Sequence, residues 1–230
     1  MDVISRKRME DFKRLLSYYK KFFSLIDCFH YNSDITKNEY EKHLESPLGK
    51  TVTITHKGIG DHRHEKSFSE TGLQIGFIGN ETPYKGLQEL LKAVEGLDID
   101  VHVWGGRKKE EGQIHYRGKF SKDQIGKVYN MIDLLVVPSV CKETFSLVVL
   151  EAMSYGVPVL VSNNVGAQIL VKEYYPPFIY ETPERLREIL QRLLQDKSPL
   201  IEYNKKLLLL PWKHSIKDHV YELIEYIYKA

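Results

Sequence analysis

From Gly72 to its C-terminus, this 230-residue chain alternates short apolar runs with longer amphipathic ones, and that alternation limits its possible folds more than any other feature. Leu73–Ile78, Ile99–Trp104, Leu134–Val137 and Val157–Ser162 are apolar-rich and of strand length. Between them lie helical patterns. Gly86–Val94 follows a Lys-Gly turn, Ser121 caps Ser121–Met131, Gly156 stops Leu147–Tyr155, and Val165–Val171 is short. Pro183, at a favourable first-turn position, opens Glu184–Gln195. Gln113–Arg117 and Phe178–Tyr180 read as further short strands, and two more helices follow, the last over Trp212–Tyr228. Strands that are apolar along their length, each followed by a helix, predict a parallel sheet covered on both faces, the doubly wound α/β arrangement. Such sheets bind ligands at the carboxyl ends of their strands, which here are the loops after Ile78, Trp104, Arg117 and Val137.

The residues upstream are of a different kind. Arg6–Lys21 interleaves basic residues with Phe12, Leu15, Leu16, Tyr18, Tyr19, Phe22 and Phe23, a basic amphipathic helix. Its apolar side is expected to pack on a neighbour, and residues 5–25 also suit a peripheral contact with an anionic membrane. A short strand over Ile26–Asn32, a helix over Thr36–Leu44 capped by Ser33 and Asp34, and a strand over Lys50–His56 follow. Lys57–Thr71 is polar and reads as a connector. The expected organisation is residues 1–66 as one unit and residues 67–230 as the doubly wound domain.

Composition excludes several classes. Thirty-three Lys and Arg against 31 Asp and Glu leave a formal charge of +2, too little surplus for a dedicated nucleic-acid binder. A hydrophobic fraction of 42% excludes wholesale disorder. No apolar run is long enough to span a bilayer, and the N-terminus has no signal-peptide core, so the expected location is the cytoplasm, with residues 5–25 offering contact with the inner face of the membrane. Cys28 and Cys141 have neither metal-ligand nor redox spacing and read as free thiols.

Two loops carry chemistry. Gly79-Asn80-Glu81-Thr82-Pro83-Tyr84-Lys85-Gly86 leads from a strand into a helix. The free N–H groups and positive dipole end of a helix start favour an anion, and Lys85 adds a mobile charge. After Val137-Pro138-Ser139, a loop with Glu143 runs into an apolar helix that embeds Glu151 between Leu150, Ala152 and Met153. A carboxylate there needs a partner or a cleft. Ionised, it only accepts hydrogen bonds, and a ribose cis-diol offers two adjacent donors.

Glu143-x7-Glu151, preceded by Val137-Pro138-Ser139 and followed by Ala152-Met153 and Gly156-Val157-Pro158-Val159, resembles the signature of glycosyltransferase family 4, also called glycosyl transferases group 1. Gly79-x5-Lys85-Gly86, Tyr116-Arg117-Gly118, Tyr129–Asp133 and Asn163–Gly166 fall in the family's order, and the likeness runs from about Gly72 to Ala230. It implies the C-terminal, Rossmann-like donor domain of the two-domain GT-B architecture. It further implies sugar transfer from a nucleoside-diphosphate sugar with retention at the anomeric carbon, in cell-surface polysaccharide or glycoconjugate synthesis, with an unknown acceptor and neither metal nor other cofactor. By the same likeness, Gly79, Asn80, Lys85 and Gly86 meet the diphosphate, Glu151 the ribose and Glu143 the transferred sugar. Thr144, Phe145, Ser146 and Leu147 face sugar and phosphates through backbone N–H groups, and the turn at Arg117 and Gly118 meets the base. Lys85 and Glu143 stand as the catalytic pair.

The chain also departs from that pattern. Asn80 stands where the family commonly has Arg, with Arg107, Arg117 and Lys142 as candidate substitutes, and Thr144 and Ser146 replace frequent glycines. Val165-Gly166-Ala167-Gln168 replaces a Gly-Gly-acidic stretch. Only about seventy residues precede Gly72, against about 150 for a whole acceptor-side domain. The implied arrangement is a partial acceptor-side segment, completed by a missing domain or a partner chain. A nucleotide-binding or scaffold module without catalysis is the alternative. Three decoys remain. Asp98-Ile99-Asp100 lies at the start of a strand, away from the expected cleft. Asp61-His62-Arg63-His64-Glu65 reads as solvated linker. Tyr221–Tyr228 shows aromatics at helical spacing, which predicts core contacts.

Overall fold

The computed structural model describes residues 3–43, 49–55, 57–106 and 109–229. The order begins α1 (Val3–Phe23), β1 (Cys28–Tyr31), α2 (Asp34–His43), β2 (Lys50–Thr53). The main domain continues β3 (Leu73–Ile78), α3 (Leu87–Val94), β4 (Ile99–Trp104), β5 (Lys109–Glu111), β6 (Ile114–Gly118), α4 (Ile125–Asn130), β7 (Leu134–Val137), α5 (Leu147–Ser154) and β8 (Val159–Ser162). It closes with α6 (Gln168–Tyr174), β9 (Ile179–Tyr180), α7 (Pro183–Gln195), α8 (Ser198–Leu209) and α9 (Ile216–Leu223), the last running into a π-helical turn, Ile224–Tyr228.

One seven-stranded sheet runs in the order β5-β6-β4-β3-β7-β8-β9, parallel throughout except for β5. From β3 the chain builds outward to β4 and β6, then returns across the sheet to start the other half at β7. The direction of winding therefore switches between β3 and β7, and a crevice opens at the carboxyl ends of those two strands. The strands form because their side chains are buried on both faces: Leu73, Ile75, Val101, Leu134, Leu135, Val159, Leu160 and Val161 have no exposed surface. Local chemistry fixes the helix starts. Thr182 Oγ1 accepts from Arg185 N at 3.2 Å just before Pro183, and Ser215 forms a capping box with Asp218.

Most other elements end within a few residues of the sequence reading, and the differences that bear on the site are these. β5 was not expected, because its Lys and Glu residues hide an edge strand paired antiparallel to β6. β1 and β8 are shorter than Ile26–Asn32 and Val157–Ser162. α6 starts at Gln168 rather than Val165, because Asn164, Gly166 and Ala167 bond the loop that carries Glu143. Leu44 and His56, the ends of the expected α2 and β2, lie outside the described residues.

The N-terminal segment forms its own two-stranded parallel sheet, β1 against β2. Phe23 anchors the end of α1, with ring centroids 5.8 Å from Phe29 and 6.2 Å from Tyr40. The expected packing of the rest of its apolar side does not occur among the described residues: Met9, Phe12, Leu15, Tyr18, Tyr19 and Phe22 are exposed. Tyr221, Tyr226 and Tyr228 are exposed as well, against the core role their spacing suggested. The connector is no free linker either. The Arg63 side chain is inserted, pairing with Asp61, donating to the Leu210 carbonyl at 2.8 Å and lying 5.1 Å from the Trp212 ring. Among the described residues, no helix is long and apolar enough to cross a membrane.

Candidate functional site

Both chemistry-bearing loops reach the switch point. Just past β3 lies Gly79, whose N–H bonds the Trp104 carbonyl at 2.9 Å, and a single tight turn over Pro83–Lys85 leads to α3. Gly86 joins turn and helix at φ +74°, and a Cβ there would lie 1.8 Å from the Pro138 carbonyl oxygen. Only glycine lets the two loops approach this closely. Val140 N–H bonds the Tyr84 carbonyl at 2.9 Å and ties them together.

That approach brings Lys85 Nζ to 2.8 Å from Glu143 Oε1, a pair 58 residues apart in sequence. The same carboxylate oxygen accepts from Ser139 Oγ at the end of β7. Glu143 is the enclosed partner, 14% exposed against 40% for Lys85. Its backbone is fixed too: its N–H donates to the Asn164 carbonyl at 2.9 Å, and its carbonyl accepts from Gly166 N–H at 3.0 Å. The carboxylate is thus held in place while the lysine keeps a mobile tip. An ion pair this open to water contributes about 0.2–1 kcal/mol, so an incoming dianion can recruit Lys85 at small cost.

Beyond Glu143 the backbone turns through Ser146 at φ +86°, the one non-glycine residue with positive φ among the described residues. The conformation expected of a glycine persists although the glycine is absent. Phe145 is buried and Leu147 exposed, flanking the start of α5.

One turn further, Glu151 is half-buried in its apolar helix, and burial raises its carboxyl above the ordinary range. Its partner is Tyr129, fully buried on α4, whose hydroxyl donates to Oε2 at 3.0 Å. Sequence reasoning asked for a partner without finding this one. Tyr129 stacks on Tyr155 at 5.4 Å. Glu151 Oε1 has no hydrogen bond among the described residues and retains its capacity to accept.

Among the described residues, both candidates for the cation in place of the missing arginine have partners of their own. Lys142 pairs with Glu39, Arg117 bonds His102 Nδ1 at 3.2 and 3.1 Å, and Arg107 lies outside the described residues. Asn80 is exposed at the tip of the first loop. Gly118 ends β6 and accepts from Gly105 N–H at 3.0 Å. Beside it opens a cavity of about 640 Å³, lined by Glu81, Gly105, Gly106, Lys109, Tyr116 and Lys119. Lys109 and Lys119 carry no signal in the sequence, because single charged residues in polar stretches form no pattern. Of the decoys, Asp100 lies at the opposite strand end, bonded to Gln74 and His115.

The fold and site define a doubly wound α/β protein in which Lys85 and Glu143 meet at the topological switch. Residues 59–207 match the family Glycosyl transferases group 1, and the chain belongs to that family. It is 28% identical over 166 residues to D-inositol 3-phosphate glycosyltransferase of Corynebacterium glutamicum, a match that covers 59% of this chain and 40% of that protein. It is 29% identical over 128 residues to lipopolysaccharide 1,2-N-acetylglucosaminetransferase of Salmonella typhimurium, covering 45% and 34%. The crystal structure of Anabaena Alr3699/HepE in complex with UDP and glucose shares its fold, with a TM-score of 0.73 at 15% identity, over 91% of this chain and 66% of that one. The chain therefore spans well under half the length of the two curated relatives.

Proposed function

We propose that this chain binds the nucleoside-diphosphate sugar for a retaining glycosyl transfer. The observation that carries the reading is the meeting of Lys85 and Glu143 across the switch-point crevice. In this reading the diphosphate takes Lys85 from Glu143 and sits at the turn formed by Gly79, Asn80 and Gly86. Glu143, released from the lysine but still held by Ser139, accepts from sugar hydroxyls. Ribose hydroxyls donate to Glu151 Oε1, the oxygen Tyr129 does not use. The base lies toward Arg117 and Gly118 in the adjoining cavity. As the glycosidic bond breaks, charge grows on the leaving diphosphate, and Lys85 and the backbone N–H groups of Thr144–Leu147 stabilise it. The complex of HepE with UDP and glucose supports a donor of this class. The lipopolysaccharide transferase among the relatives supports a place in cell-surface glycoconjugate synthesis.

The test is donor hydrolysis followed by NMR. Slow release of the α-anomer from an α-linked nucleoside-diphosphate glucose is the expected result, and release of the β-anomer refutes retention. A second reading, a nucleotide-binding module that acts only with a partner chain, is favoured by the engagement of Arg117 and Lys142 with other partners. Hydrolysis by the chain alone eliminates it. The exposed aromatic and aliphatic side of α1, beside Lys13, Arg14 and Lys21, supports contact with an anionic membrane surface. Flotation with anionic but not neutral liposomes is expected, and equal flotation with both, or none with either, rejects that contact.

A further inference from the structure

The loop that carries Glu143 is held from outside the sheet domain. Ser33, between β1 and α2, has no exposed surface and donates its hydroxyl to the Thr144 carbonyl at 2.5 Å. Thr36 Oγ1 lies 3.3 Å from the same oxygen while bonding Asn32 Oδ1 at 2.9 Å. Gly166 presses in from the far side: a Cβ there would lie 2.1 Å from the Thr144 oxygen and 2.7 Å from Ser33 Oγ. One residue before Glu143, Lys142 pairs with Glu39 of α2. Two segments distant in sequence, residues 33–36 and Gly166, thus close on a single carbonyl.

We propose that Ser33 is a positioning residue for the donor loop, and that the N-terminal segment thereby completes the donor site. A peptide group is planar, so holding the Thr144 carbonyl fixes the plane it shares with the Phe145 nitrogen. The next residue is Ser146, in a left-handed conformation that costs about 1–3 kcal/mol and persists only where its surroundings impose it. The Ser33 hydrogen bond is one of those constraints. It holds the loop in the shape that presents Glu143 and the first N–H groups of α5 to the sugar. Without it the loop relaxes, and the sugar end of the donor loses more than the nucleotide end, which Lys85 and Glu151 also hold. This inference rests on the donor-binding reading above.

The experiment compares the 230-residue wild-type chain, Ser33→Ala, Ser33→Thr and Thr36→Val. Each is titrated with UDP, GDP and ADP and with the matching diphosphate-glucoses, and hydrogen exchange across residues 140–147 and Tm are recorded. Ser33→Ala is expected to weaken diphosphate-glucose binding about three- to tenfold, the range of one lost hydrogen bond, and nucleoside diphosphate binding by less than about twofold. Exchange across 140–147 rises several-fold while β3 and β7 stay protected. Ser33→Thr restores both readouts, and Thr36→Val shifts them the same way by less. Wild-type exchange and selectivity in Ser33→Ala overturn the proposal, as does equal weakening of both ligands in step with a lower Tm. If Ser33→Ala does not fold, Thr36→Val decides by the same criteria. If wild type binds no nucleotide, the donor reading fails separately, and exchange across 140–147 still shows whether Ser33 holds the loop.

Discussion

The sheet domain and the N-terminal segment solve the burial problem differently. In the sheet domain, aliphatic side chains from both faces form one core: Leu90, Leu150, Met153, Leu190 and Leu207 are among those with no exposed surface. In the segment before it, over residues 3–55, burial among the described residues is confined to Phe29, Tyr31, Ser33 and Ile54, while Phe12 is 59% and Tyr18 65% exposed. The segment is attached at a few polar points: Ser33 to Thr144, Lys142 to Glu39, Lys57 to Glu222. The lesson is that rigidity and attachment are separate. The sheet fixes where Lys85 and Glu151 stand, and the weakly packed segment reaches the one loop the sheet leaves strained.

The strongest way to break the comparison is from the rigid side. Gly86→Ala places a methyl against the Pro138 carbonyl at a positive φ, so it is expected to destabilise by more than about 3 kcal/mol. Gly96→Ala, at φ +72° with nothing within 4 Å, is expected to cost only about 1 kcal/mol. Equal costs in urea melts refute the close-approach argument.

At the seam between the regions, His214 is buried beside Lys57, and burial first, then that lysine, lowers its pKa to about 4. Among the described residues its Nδ1 has no hydrogen-bond partner. The unfolded chain takes up this proton near pH 6.5 and the folded one only near 4. Stability is therefore full above pH 6.5 and falls on acidification through that window, by on the order of 2–3 kcal/mol. Chemical denaturation at pH 7, 5.5 and 4.5 checks this: His214→Asn is expected to flatten the profile, and an unchanged slope contradicts the assignment.

Ser146→Gly relieves the left-handed serine and is expected to stabilise by about 1 kcal/mol. A loss of stability instead shows that the serine side chain contributes more than its backbone costs. The smallest effect belongs to α1: Phe12→Ser is expected to change stability by less than about 0.5 kcal/mol. A larger loss reveals packing that the exposed face does not show.

The same contrast explains what was legible in sequence. Leu134–Val137 and Leu73–Ile78 announce themselves because two-sided burial demands unbroken apolar runs. Lys85 and Glu143 were legible because each lies in a turn of recognisable order. Tyr129 and Ser33 were not, since each meets the site through a hydrogen bond that spans 22 and 111 residues. A heptad or an alternation records what a residue is buried in, never which distant oxygen it meets. Tyr221, Tyr226 and Tyr228 mark the opposite failure, helical spacing with no surface opposite among the described residues.

The central claim is that the crevice between β3 and β7 binds a nucleoside diphosphate through Lys85 and Glu151. Calorimetric titration with UDP, GDP and ADP tests it most directly. One of the three is expected to bind below millimolar, with Lys85→Ala and Glu151→Ala each weakening it about ten- to a hundredfold, the range for hydrogen bonds to charged groups. Because burial raises the Glu151 carboxyl and only its ionised form accepts from both ribose hydroxyls, wild-type affinity falls as pH is lowered, starting above the ordinary carboxylate range. No binding of any of the three at millimolar concentration, or binding indifferent to both substitutions, contradicts the account.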